Sequence, residues 1–146
     1  MSRWTRTNAL LVLGAVAVLV SGWVHFYLYF RGGYRGIAPE STFGLTISRS
    51  FAVNAIVAVV IAEALVLATR FESLVLPSAA SGALFGVGTL AAYFLSRTTG
   101  LLGFEESSTT TEAVVAMIAE VVAVLSLAPV AIGALARRRA PTTAPA

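Results

Sequence analysis

The sequence predicts an all-α integral membrane protein, an antiparallel bundle of four transmembrane helices. Apolar residues make up 58% of its 146 residues and charged residues only 12%, whereas about a quarter of the residues in a soluble domain are charged. Four successive runs of mostly apolar residues reach the length of about 20 residues that crosses a bilayer. The segments between these runs are short, which makes consecutive helices antiparallel neighbours.

The first predicted span, Ala9 to Phe30, lies between Arg6 and Arg31. A secretory signal peptide is the alternative interpretation of this segment, because Arg3 and Arg6 precede the apolar run. The run is longer than the apolar core of a signal peptide, so we expect it to be retained as a span.

The other three predicted spans each end at arginine. They are residues 47–69, closed by Arg70; residues 77–96, closed by Arg97; and residues 112–136, closed by the arginines at 137–139. Pro77 is suited to the first position of a helix, and the threonines at 109–111, followed by Glu112, suit a helix start. Residues 1–139 thus form one membrane domain, and the tail at 140–146 is predicted to be disordered.

The arginines also predict how the chain is oriented. Six of the ten fall on the side that carries both termini, so the positive-inside rule predicts that both termini are cytoplasmic. The longer connections, at 31–46 and 97–111, then lie on the outer face. Most aromatic residues collect near these two loops, where they form either an interfacial belt or the lining of a cleft.

Several classes of function are excluded by composition. There is no cysteine and only one histidine, His25, so a disulfide, a thiolate metal site or a bis-histidine haem site within one chain is ruled out. The arginines form no basic stripe of the kind that binds nucleic acid. No phosphate-binding loop, dinucleotide fingerprint or serine elbow occurs. We therefore expect no cofactor, no metal, no nucleic acid partner and no enzymatic activity.

Four strongly polar side chains lie within the spans: His25, Asn54, Glu63 and Glu120. A charge at mid-membrane costs about 2.5–3.5 kcal/mol on insertion scales, which makes such groups candidates for function. Counting about 1.5 Å of rise per residue places His25, Asn54 and Glu120 at one level, toward the outer loops. They are predicted to form a hydrogen-bonded cluster that binds a proton or the head of an amphiphile. Alternatively, the three groups satisfy one another and fix helix register.

Glu63 is predicted to lie deeper, toward the cytoplasmic side, and to point away from Asn54, because nine residues separate the two on one helix. It is a second candidate for proton or ligand binding, or a structural residue that reaches toward Arg70. The string at 55–63 resembles the string at 113–120, and both end in glutamate. An internal repeat is therefore an alternative, although the two glutamates differ in depth.

Three arginines beside the first loop, Arg31, Arg35 and Arg49, are candidate contacts for an anionic head group. Their alternative role is to anchor the helices at the membrane interface. The acidic pair Glu105–Glu106 in the third loop is expected to form ion pairs with them across the outer face.

The stretch from His25 to Ile37, followed by Gly44 and Asn54, resembles the first hairpin of small uncharacterised four-span membrane proteins of actinobacteria. Residues 88–96 and 100–106 resemble the second half of those proteins. A looser similarity, to the DoxX-like four-helix group, rests on the span count and the early histidine. The resemblance implies a bacterial inner-membrane protein and no particular activity. The segment at 39–46 is longer and more polar than the corresponding segment expected for those proteins.

These observations predict a non-enzymatic membrane protein, either an accessory subunit or a binder of lipids or small amphiphiles, with its pocket beneath the outer loops. The alternative is a proton-coupled transporter of small molecules that uses Glu63 or Glu120 as its carrier carboxylate. The expected partners are the lipid bilayer and either another membrane protein or a second copy of the chain.

Overall fold

The computed structural model describes residues 3–35 and 44–139, and these residues form four α-helices. The helices are α1 (Arg3–Phe30), α2 (Ile47–Ala68), α3 (Glu72–Thr98) and α4 (Thr111–Arg139). Each is long and apolar enough to cross a membrane. The predicted four-helix membrane bundle is confirmed, and the chain is a multi-pass membrane protein. The predicted disordered tail lies outside the described residues.

The helices form a ring in which each packs against its neighbours in the chain and α4 closes the ring against α1. The contacts run antiparallel: Ser21 of α1 meets Glu120 of α4, and Ser78 of α3 meets Ala64 of α2. The connections at 31–46 and 99–110 therefore share one end of the bundle, here named the loop end. The opposite end is named the termini end.

Large apolar side chains cover the outside of the bundle, and small ones fill its inside. Ten of the 18 buried apolar residues are alanines, which let helix backbones approach closely, as association within lipid requires. Every helix presents large side chains that are more than half exposed and suited to contact lipid: Val16, Ile56, Leu84 and Leu125 are examples.

Leu127 of α4 is one of three leucines in the core that have no exposed surface. It lies between Gly14 of α1 and Gly82 of α3, and a methyl group at either glycine would overlap its side chain. Gly82 and Gly86, which the sequence marks as a GxxxG pair, both face α4 and are buried. The motif thus serves packing within the bundle.

The prediction that Pro77 begins a helix is wrong, because α3 begins at Glu72 and Pro77 lies inside it. Proline lacks the N–H that would bond to the carbonyl four residues earlier, which is that of Ser73. Arg138 of α4 supplies a donor instead, from Nη2 to the Ser73 oxygen at 3.2 Å. A contact from another helix therefore replaces the missing main-chain bond.

The predicted start of the last helix is confirmed. The Thr110 hydroxyl accepts a hydrogen bond from the Ala113 N–H at 3.2 Å, and Glu112 lies in the first turn of α4. The α2 helix begins in the same way, with Thr46 accepting from the Arg49 N–H at 3.1 Å. Both capped helix starts lie at the loop end, where they border the site described next.

Candidate ligand-binding cavity

The four helices separate at the loop end around a cavity of about 120 Å³. Each helix lines it with one face, because the lining residues recur at intervals of three and four. On α4 and the residue before it, the lining runs from Thr110 to Glu120, which corresponds to about 15 Å at helical rise. The cavity is therefore deep relative to its volume, and it reaches well into the membrane-spanning part of the bundle.

The deepest lining residue of every helix is polar. These four residues, here named the floor, are His25 on α1, Asn54 on α2, Thr89 on α3 and Glu120 on α4. The remaining walls are mainly apolar, with Leu28, Ala92, Ala113, Ala116 and Met117 among them. A polar floor below apolar walls is the arrangement that orients a ligand with a polar head and an apolar body.

Ser21 connects two of the floor residues. Its hydroxyl donates to Glu120 Oε1 at 2.9 Å, and its carbonyl oxygen lies 2.8 Å from Nδ1 of His25. Ser21 has no exposed surface, and Glu120 is only 2% exposed. Serine thus places the carboxyl group and the imidazole in one connected polar group without direct contact between them.

The hydrogen bond of His25 determines which of its ring nitrogens carries the proton. A carbonyl oxygen only accepts, so in the neutral ring Nδ1 is the donor and Nε2 is left with a lone pair. The ring packs edge-on against Phe51, with centroids 5.3 Å apart. Within the described ranges, Nε2 of His25 and the side-chain amide of Asn54 have no hydrogen-bond partner, and both residues line the cavity. Two floor residues are therefore available to a ligand.

Four residues line the cavity at the loop end and are here named the roof: Tyr34, Leu101, Phe104 and Glu106. The Tyr34 hydroxyl donates to Glu106 Oε2 at 2.6 Å, which joins the first loop to the third. The Tyr34 ring packs edge-on against Phe51 and Phe104, with centroids 4.9 and 5.6 Å away. Tyr34 thus holds together the parts of the structure that close the cavity.

The third loop is itself fixed to α3. The Glu106 N–H donates to the Ser96 carbonyl at 2.9 Å, and Nη1 of Arg97 donates to the Glu106 carbonyl at 3.2 Å. A short bridge between Leu101 and Phe104 tightens the turn that contains Gly103, whose φ is +72°. Glycine suits this left-handed conformation because it has no Cβ.

The bond between Tyr34 and Glu106 gives a prediction about pH. Burial raises the pKa of Tyr34, and the hydrogen bond and charge of Glu106 raise this pKa further. The pKa of Tyr34 is higher in the folded chain than in the unfolded chain, where it is about 10. The contribution of protonated Tyr34 to folding stability is therefore complete below about pH 10, and it is lost as pH rises through the higher folded pKa. An absorbance titration at 295 nm is therefore expected to show one tyrosine that stays protonated well above pH 10.

Replacing Tyr34 by phenylalanine is expected to remove that late-titrating group. The same substitution keeps the ring contacts and loses the hydrogen bond, so main-chain amides in the third loop should exchange with solvent several-fold faster. The Tyr29→Phe variant is the control, since the Tyr29 hydroxyl makes no hydrogen bond in the described part of the chain. An identical titration of Tyr34→Phe and wild type would contradict this account of the roof.

The structure brings three of the four intramembrane candidates together and leaves the fourth apart. His25, Asn54 and Glu120 all line the cavity, but no direct hydrogen bond joins any two of them. Glu63 is exposed on the outer face of α2, opposite to Asn54, as the helical spacing predicts. It forms no ion pair with Arg70 within the described residues.

The three candidate head-group arginines lie outside the cavity lining. Arg31 borders an exposed groove formed by aromatic residues of α1, and the Arg35 guanidinium lies 5.8 Å above the Phe30 ring. Arg49 donates to the Gly44 carbonyl. The prediction of ion pairs between these arginines and the acidic pair at 105–106 is wrong, because no such ion pair is present among the described residues. Glu106 is hydrogen-bonded to Tyr34 and Ser108 instead.

The aromatic residues near the loops divide into two sets. Trp23, Phe26 and Phe30 are exposed on α1 and stack along the helix. A second set turns inward and lines the cavity: Tyr34, Phe51, Tyr93 and Phe104. The two interpretations of these residues, belt and cleft, therefore apply to different members of the group.

Ser21, Thr89 and the roof residues were not among the site residues predicted from the sequence. Ser21 precedes His25 by four positions and so shares its helix face, which is a signal that spacing alone could have given. Thr89 also faces the Glu120 carboxyl group. Tyr34 and Glu106 are 72 residues apart and meet only through the folding of two loops, so no local pattern marks them.

The site supplies hydrogen-bonding groups, one buried carboxyl group, one imidazole and four aromatic rings. Among the described residues, no three acidic or histidine side chains are close enough to hold a metal ion. The groups that the site supplies are suited to binding a ligand and to exchanging protons. No protein-family model, curated protein or solved structure matches this chain.

Proposed function

We propose that the protein is a non-enzymatic membrane protein that binds a small amphiphile in the loop-end cavity. The observation that carries the proposal is the polar floor, to which each of the four helices contributes one residue beneath mainly apolar walls. Within lipid, a polar group without a partner is costly. Groups left unpaired around a cavity therefore support a role in binding a ligand.

The packing below the floor supports binding rather than passage. Val18, Leu65 and Leu127 have no exposed surface and fill the bundle between the floor and the termini end. A ligand that enters from the loop end therefore meets fully buried apolar side chains below the floor. A lipid-binding or accessory role needs no path beyond these side chains.

The test is to fill the cavity from α3. Ala92 lines the cavity, whereas its neighbour Ala91 is exposed on the outer face of the same helix. The Ala92→Phe substitution is expected to lower the occupancy of a co-purifying amphiphile at least fivefold. Native mass spectrometry of the gently solubilised protein measures this occupancy. Phenylalanine at position 91 adds the same bulk toward lipid and should leave occupancy unchanged. A wild-type chain that carries no amphiphile, or equal occupancy in both variants, would refute the proposal.

A proton-coupled transporter is the second candidate, and one observation favours it. Glu120 is a buried carboxyl group joined through Ser21 to a titratable imidazole, which is the chemistry that a proton carrier needs. Transport would require the layer at Val18, Leu65 and Leu127 to open. Uptake into proteoliposomes that is driven by a pH gradient and abolished by Glu120→Gln would favour the transporter. Ligand binding without such uptake would favour the binding protein.

A further inference from the structure

We propose that the ligand of the loop-end cavity is a small organic cation, an ammonium group attached to a short apolar chain. This inference rests on the binding function proposed above and adds the chemical class of the ligand. Three properties of the lining carry it: the sign of its charges, the direction of its hydrogen bonds and its aromatic rings.

The described lining contains two carboxyl groups and one imidazole, that of His25, but no guanidinium or ammonium group. Glu120 lies in the floor and Glu106 in the roof, and no arginine belongs to the described lining. The chain has no lysine, and the undescribed segment at 36–43 contains no basic residue. Neither carboxyl group forms an ion pair within the described residues. An anionic head would meet these carboxyl groups without a compensating cation, whereas an ammonium group supplies the missing charge.

The hydroxyl groups of three lining residues face the cavity as acceptors, whereas the amide of Asn54 offers both donors and an acceptor. The hydroxyls of Ser50, Thr89 and Ser96 each donate to a main-chain carbonyl of their own helix, at 2.9, 2.8 and 2.7 Å. What they can offer a ligand is lone pairs. The Nε2 atom of His25 is also an acceptor in the neutral ring. A head group with several N–H donors matches this set, because an ammonium group donates and does not accept.

Aromatic rings supply the third property. Tyr34, Phe51 and Phe104 surround the upper part of the cavity in edge-to-face contacts. Ring faces attract cations, and the attraction is stronger where water is excluded. Volume limits the ligand, since about 120 Å³ is comparable to a cavity that holds a single benzene ring. A slender alkyl chain can follow the apolar wall formed by Leu28, Ala113 and Met117.

The test compares three ligands that share one alkyl chain: hexylammonium, 1-hexanol and hexanoate at pH 7. Binding to the full chain in phosphatidylcholine nanodiscs is measured by calorimetry, with empty nanodiscs subtracted so that partition into lipid does not count. Hexylammonium is expected to bind at least tenfold more tightly than 1-hexanol, and hexanoate more weakly than both. Glu120→Gln should reduce the affinity for hexylammonium to that for 1-hexanol and leave the affinity for 1-hexanol unchanged.

The matched control is Glu63→Gln, which removes a carboxyl group from the exposed face of α2 and should leave all three affinities unchanged. Equal binding of amine and alcohol, tighter binding of hexanoate, or an unchanged preference in Glu120→Gln would overturn the cation proposal while amphiphile binding stands. Absence of binding by all three ligands, together with no co-purifying amphiphile, would overturn both. Should Glu120→Gln fail to fold, the three affinities of the wild-type chain decide the question alone.

Discussion

Replacing Gly86 by alanine is expected to destabilise the bundle by about 1–3 kcal/mol, the usual cost of overpacking a tight interior. A methyl group at this position would lie 2.8 Å from the main-chain oxygen of Glu120 and 2.9 Å from Cγ2 of Val124. The first of these atoms belongs to a helix backbone and cannot rotate away. Relief therefore requires α3 and α4 to move apart at the level of the cavity floor. Reversible unfolding in mixed micelles measures the loss.

The matched control is Gly88→Ala, two residues along the same helix. A methyl group there meets no atom within 4 Å, and alanine favours helix over glycine by about 1 kcal/mol. The control is therefore expected to be neutral or slightly stabilising. Equal stability of the two variants would show that α3 and α4 do not approach as closely as the structure indicates.

Because Gly86 packs on the backbone of Glu120, its substitution should also weaken ligand binding, even though it does not line the cavity. Stability and binding are thus linked through one close contact. Gly86 lets α3 and α4 approach closely at the level of Glu120, as small residues do between helices in lipid.

The spans could be predicted because hydropathy is a local property of the chain. The helix ends could not all be predicted, and Pro77 shows why. Its local signal is that of a helix start, but the helix begins at Glu72, and Arg138, from a distant part of the chain, bonds to the Ser73 carbonyl that Pro77 leaves without a main-chain donor. A tertiary contact therefore overrides the local preference of proline.

The site was partly predictable for a similar reason. Counting helical rise brought His25, Asn54 and Glu120 to one level, because depth in a membrane follows from position in a span. The strings that end in Glu63 and Glu120 are nearly alike, yet one glutamate faces outward and the other is buried. Glu120 differs from Glu63 because Ser21 of α1 and Gly86 of α3 pack against it. These neighbours come from other helices, so the local sequence around Glu120 does not contain them.

Replacing Ser21 by alanine is expected to cost about 1–3 kcal/mol of stability, because a buried acceptor loses its donor. The Ser21 hydroxyl bonds to Glu120 Oε1 across two helices, and both residues are buried. The main-chain bond between His25 and Ser21 does not need this side chain, so the imidazole should stay in place. The expected result is a less stable bundle in which the Glu120 carboxyl group has lost its hydrogen bond to α1.

Ser126→Ala is the control, because Ser126 is also buried on a helix but its hydroxyl donates only to carbonyls of its own helix, at 2.8 and 3.1 Å. Those carbonyls keep their helical partners when the hydroxyl is removed, so little stability should be lost. Unfolding of the two variants in the same micelles gives the comparison. A cost at Ser21 no larger than that at Ser126 would mean that Glu120 does not depend on α1. In that case Glu120 and His25 would not act as a group joined through Ser21 and would have to be treated as independent ligand contacts.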